Sequence, residues 1–262
     1  MCSMTLTGDI SIASGIRQRS RDEERALDHP GHFHEYVFGL KLAKFHWEIF
    51  ELLLEGMREP FGTANPALIL APRDHAKTTN VAESYPLWQV GLDPLLLCQI
   101  IGSTSSLARK RIKKIASCIR FNQKFKNLFG ELYPDNPDLS WSRDELEVIR
   151  DQELVWNEGR AERDPTFIAL GITTSVEGGR AGLQVFDDVV TFENCKTQNG
   201  RETTSDKFWM SFDPMLLPKG QQLIIGTRYH YADLYSELIA KFDTEGLYTD
   251  LYLNEERDSI LS

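Results

Sequence analysis

Several short, unbroken apolar runs in this chain end abruptly in small or polar residues: "LLLCQIIGST" (95–104), "LQVFDDVV" (183–190) and "QQLIIGTRYH" (221–230). A strand without polar alternation has no face to offer water, so it must be covered on both sides. Between these runs lie helical patterns, "SSLARKRIKKIASCIRFNQKF" and "ADLYSELIAKF" among them. Adding Ala67 to Leu70 and "TFIALGITTS" as strands gives alternating strands and helices, an α/β fold with a mostly parallel sheet and helices on both faces.

The run "HEYVFGLKLAKFHWEIFELLLEGM" reads as one helix or as two broken near Gly39, and "TTNVAESYPLWQVG" as a short helix disturbed by Pro86. Ser105 or Ser106 is expected to start the helix that carries "ARKRIKK". "ELEVIRD" and "ELVWNEG" read as a hairpin, and "FWMSFDPML" as helical. Residues 1–28 are expected to be a mobile arm, 29–66 a helical segment and 67–245 the α/β core.

A chain of 262 residues, 41% hydrophobic and 26% charged, has enough apolar mass for a sizeable core. Its net charge of −10 argues against a surface coated for nucleic acid, though a local basic groove stays open. The apolar run "LLLCQII" is far shorter than the ~18 residues of a membrane span, and the N-terminus lacks the pattern of a signal peptide. Cys2, Cys98, Cys118 and Cys195 share no metal-ligand spacing and read as reduced, structural thiols. The six histidines form no zinc motif.

The chemistry concentrates at strand ends. "LILAPRDHAKTTN" (68–80) is a strand that runs through a turn into Lys77-Thr78, the ending of a phosphate-binding loop. That pattern wants glycine at 71 and 76, and both are alanine. Alanine is the smallest substitute and keeps close approach possible provided its φ stays negative. In such a loop Lys77 neutralises the outer phosphates and the Thr78 hydroxyl holds Mg²⁺. Asp187-Asp188 ends a second strand. Two adjacent acids there suit a Mg²⁺ shell (Asp187) and a polarised attacking water (Asp188), or else a solvated turn. Thr227 and Arg228 end a third, where a hydroxyl is placed to sense the γ-phosphate.

Taken in order and spacing, "APRDHAKTT", "GGRAGLQVFDDVV" and "IIGTRYHYADLYSELI" resemble the ATPase domain of phage terminase large subunits over about residues 40–242. The resemblance implies a P-loop NTPase fold of the ASCE/RecA-like kind, with ATP and Mg²⁺ as cofactors. It makes Arg73, Asp74, His75, Ala76, Lys77, Thr78 and Thr79 a divergent Walker A loop, with Arg73 the loop arginine. It makes Asp187 the Walker B acid with Thr78 on the metal, Asp188 the catalytic base in place of the commoner Glu, and Thr227-Arg228 the coupling motif. Arg180 resembles the arginine supplied to a neighbouring subunit, and His46 and Trp47 are candidates for adenine stacking, Trp47 equally a core residue.

Implied partners are double-stranded DNA, a portal protein, a small terminase subunit and further copies of the chain in a ring, a pentamer, in the host cytoplasm with no membrane. Residues 246–262 would begin a linker toward a nuclease domain that this chain lacks. A helicase-like ATPase, a metal-dependent nuclease and a nucleotide-binding scaffold remain alternatives. The basic run 109–114 reads either as a solvated helix face or as a DNA-facing patch.

Overall fold

A run such as Gln221–Gly226 is stable in water's absence only if helices cover both of its faces, and in the computed structural model they do. The structure describes residues 18–58, 65–72, 76–150, 164–174 and 179–245. Six strands form one sheet: β1 (Asn65–Leu70), β2 (Cys98–Gly102), β3 (Glu145–Leu146), β4 (Phe167–Gly171), β5 (Ala181–Asp187) and β6 (Leu216–Gly226). Their order is β1-β6-β5-β2-β4-β3. All neighbours are parallel except the short β3, which runs antiparallel to β4.

The side-chain period of two divides each strand between two cores. Leu223 and Ile225 join one apolar cluster while Ile224 joins the other; Val185 and Phe186 divide in the same way. The first face is covered by α1 (Arg21–Asp28), α2 (Pro30–Phe38), α3 (Lys44–Arg58), α4 (Tyr85–Leu92), α5 (Ser105–Phe121) and α6 (Gln123–Phe129). The second is covered by α7 (Phe192–Cys195), α8 (Gln198–Lys207), a π-helical turn Phe208–Phe212 and α9 (Leu234–Glu245). The expected α/β sheet with helices on both faces is what the chain forms.

On the second face three glutamines replace apolar residues in one cross-strand row. Gln99, Gln184 and Gln222 are paired by register and buried. Gln222 Nε2 donates to Gln184 Oε1 at 3.0 Å, and Gln184 Nε2 donates to Gln99 Oε1 at 2.9 Å and to the Phe212 carbonyl at 2.7 Å. Each amide thereby finds a partner, the condition for keeping polar groups in a core.

Local expectations fare unevenly. The break at Gly39 is real: its φ of 71° ends α2, a left-handed position that glycine adopts freely. α5 is capped by Thr104, whose Oγ1 accepts from the Leu107 N–H, rather than by either serine. The charged end of the expected arm is helical in α1, because Ser20 and Glu23 form a reciprocal capping box. Tyr36 Oη then donates to Glu23, and Trp88 Nε1 to the Ala26 carbonyl, tying α1 to the core. The first arm of the expected hairpin contributes only β3, and the second lies outside the described residues. Cys98, Cys118 and Cys195 are free and buried; burial pushes the Cys118 thiol up to about 12.

Candidate functional site

The register of the sheet brings three strand ends together. Leu70 pairs with Gly226 and Asp187 with Ile225, so β6 lies between β1 and β5 and the next residues of all three emerge side by side. The Ala71 N–H donates to the Gly226 carbonyl at 3.1 Å, and the Asp188 N–H to the Ile225 carbonyl at 2.9 Å. This edge is the carboxyl end of a parallel sheet, where α/β folds leave a crevice.

Lys77, directly before the π-helical segment that starts at Thr78, reaches into that edge. It is buried, and its Nζ donates to the Ala71 carbonyl at 2.9 Å and to Thr227 Oγ1 at 2.6 Å, with Asp188 Oδ1 3.5 Å away. Thr78 Oγ1 donates to Asp187 Oδ1 at 2.8 Å. Ala76 corrects one expectation: its φ is 51°, in the left-handed region, where the loop pattern places glycine. The alanine therefore takes the glycine conformation and bears its steric cost. Asp188 is left-handed as well, with φ 48°, a position that aspartate tolerates better than most residues.

The segment from Thr78 to Ser84 is π-helical, then tightens into α4 at Tyr85. Pro86 has no N–H to donate and its ring crowds the carbonyl four residues earlier, so a wider turn just before it relieves the conflict. The Asn80 amide and the Ser84 hydroxyl, both buried on this turn, have no hydrogen-bond partner in the structure.

Two residues of this cluster were not singled out by sequence reasoning as site residues. Arg111, within the basic run, is not on the solvated face. Its Nε donates to Asp187 Oδ2 at 2.8 Å, and its Nη1 lies 3.5 Å from Glu83 Oε1. Glu83 is buried beside the same guanidinium, and its Oε2 accepts from Lys114 Nζ at 3.1 Å. Burial raises the Glu83 pKa, against the lowering effect of Lys114 and Arg111. A signal existed: Arg111 sits three residues after Ala108 and four before Ile115, both buried on α5. It therefore borders the apolar stripe that faces the sheet. Arg109, Lys110 and Lys113 are exposed, as the solvated-face reading expects, Arg109 being paired with Asp144.

The other named residues scatter. Arg73, Asp74 and His75 lie outside the described residues. Thr79 is half-buried on the π-helical turn. Arg228 is exposed and donates to Ser236 Oγ at 2.9 Å. Arg180 immediately precedes β5, at the end of the strand opposite Asp187 and roughly 20 Å away along its length. Within one chain it does not join the cluster. Trp47 packs against His29 and His32 with ring centroids 5.3 and 4.7 Å apart, and His46 Nδ1 accepts from the Ala43 N–H at the start of α3.

Chemically, the edge offers one buried ammonium, two adjoining carboxylates and two hydroxyls. Thr78 and Asp187 are hard oxygen donors within hydrogen-bond distance of each other, a set that suits Mg²⁺. Among the described residues no group of three or more His, Cys, Asp or Glu side chains could hold a metal ion. No helix among them is long and apolar enough to cross a membrane.

Neither a protein-family model nor a curated relative matches the chain. Among solved structures it is similar to the crystal structure of the HK97 bacteriophage large terminase, at 12% sequence identity and a TM-score of 0.49, over 86% of this chain and 42% of that one. The chain thus spans less than half the length of that protein.

Proposed function

We propose that this chain is the ATP-hydrolysing motor part of a viral DNA-packaging terminase large subunit. The observation that carries the reading is the meeting of Lys77, Thr78, Asp187, Asp188 and Thr227 at the carboxyl edge of three adjacent strands. No one of these residues is specific. Their convergence, from turns that the sequence separates widely, is what a nucleoside triphosphate site requires.

In this reading Lys77 turns from the Ala71 carbonyl and Thr227 toward the outer phosphates, offsetting their charge. Thr78 and Asp187 hold the Mg²⁺, which supplies charge neutralisation at the phosphates when bound. Asp188, half-exposed and next to Lys77, orients the attacking water and accepts its proton. Thr227 reports the change at Lys77 to β6 and the segment that follows it. Arg180 lies too far from its own site, so its role falls to the site of a neighbouring copy in a ring. Double-stranded DNA, a portal protein and a small terminase subunit are the corresponding partners, in the host cytoplasm.

The test is Mg²⁺-dependent ATP hydrolysis over a wide protein concentration range, for wild type, Lys77→Ala and Arg180→Ala. A rate per subunit that climbs with concentration and is abolished by both substitutions supports the motor with an arginine supplied in trans. ATP binding with no Lys77-dependent turnover at any concentration overturns it in favour of a nucleotide-holding scaffold.

A further inference from the structure

We infer that Arg111 is a built-in counter-cation that makes divalent-metal binding at Asp187 conditional on nucleotide. The inference rests on the proposed nucleotide site and concerns a residue outside its phosphate loop.

Among the described residues the charges linked at the edge balance without any metal. Lys77, Arg111 and Lys114 face Asp187, Asp188 and Glu83 in linked pairs, three formal positive charges against three negative. Asp187 is buried, and both its oxygens are engaged, Oδ1 by Thr78 and Oδ2 by Arg111. A divalent cation arriving alone would meet a neutral cluster and the guanidinium next to its buried carboxylate ligand, Asp187. Desolvating it there gives no compensating attraction. A nucleoside triphosphate brings about four negative charges at neutral pH, and the same cation then becomes the favourable complement. Glu83 fixes Arg111 in this place by holding the far side of the guanidinium, so the arginine stays beside Asp187 rather than swinging to solvent. The arrangement would keep the motor from holding metal in its resting state while leaving Asp187 oriented for it.

The experiment titrates Mn²⁺ alone into the full chain without nucleotide, read by electron paramagnetic resonance of the free ion. Wild type should bind no Mn²⁺ at the site at millimolar concentration. Arg111→Gln should gain a site, with affinity raised about tenfold or more, since one unit charge at contact distance exceeds that in partly solvated surroundings. Arg111→Lys should restore the wild-type behaviour. Lys114→Gln removes an equal charge that touches Glu83 but not Asp187, and should gain no site. Nucleotide-free Mn²⁺ binding by wild type would overturn the inference. So would an Arg111→Gln protein, folded by circular dichroism, that gains none, or an equal gain in Lys114→Gln. Binding of a fluorescent ATP analogue with metal, measured in wild type and Lys77→Ala, reports separately on the nucleotide site itself.

Discussion

Lys77 Nζ donates to Thr227 Oγ1 at 2.6 Å, joining residues 150 positions apart and locking the head of the π-helical segment to the end of β6. A hydrogen bond to a buried charge contributes about 1.5–3 kcal/mol. Thr227→Val should therefore lower stability by about that amount in urea denaturation, while Thr227→Ser keeps most of it. Equal stability of Thr227→Val and wild type would show that Lys77 is held by the Ala71 carbonyl and Asp188 alone.

Ala76 occupies the left-handed region at φ 51°. An L-residue there costs roughly 1–2 kcal/mol, partly offset for glycine by its larger unfolded-state freedom. Ala76→Gly should raise stability by about 0.5–1 kcal/mol, a melting-temperature gain of about 2 °C. Ala76→Val, β-branched, should lower it by more than that gain. Calorimetry on the three proteins decides the matter; a destabilised Ala76→Gly would mean that the turn is not left-handed in solution.

Gln184 is the middle of the buried glutamine row, with partners on both sides and at the Phe212 carbonyl. Gln184→Leu fills the same space but strands the Gln99 oxygen and that carbonyl, and leaves Gln222 Nε2 only its longer bond to Asp213 Oδ1 at 3.4 Å. An unsatisfied buried group costs about 1–3 kcal/mol, so a loss of roughly 3 kcal/mol is expected by chemical denaturation. A neutral substitution would mean that the row relaxes onto other partners.

His34 is buried between Phe38 and Phe50, and desolvation lowers its pKa to about 4, with His46 adding to the effect. Between about pH 4 and the unfolded value near 6.5 the unfolded chain binds the extra proton and the native one does not. This histidine's contribution is thus complete above pH 6.5 and is lost as pH falls toward 4, up to about 3 kcal/mol. His34→Leu should flatten the stability profile over that interval. An unchanged slope would assign the acid sensitivity to other groups.

The run "QQLIIG" determined that β6 would be covered on both faces, because no alternation offered a face to water. The sheet and the candidate strand-end residues were legible for that reason: a buried strand that stops in Asp187-Asp188 or Gly226-Thr227 announces its own edge. The sequence by itself also marked Gly39 as the place where a helix could break, since glycine can turn left-handed without steric cost, and the structure chose the break. Only the tertiary structure decided which polar residues would meet. It set β6 between β1 and β5, which places Lys77 against Thr227 and Thr78 against Asp187. It also turned Arg111 inward to Asp187 and left Arg180 at the far end of β5. Strand order and the facing of a border residue on a helix depend on contacts between segments far apart in the chain. Periodicity along one segment carries no record of them.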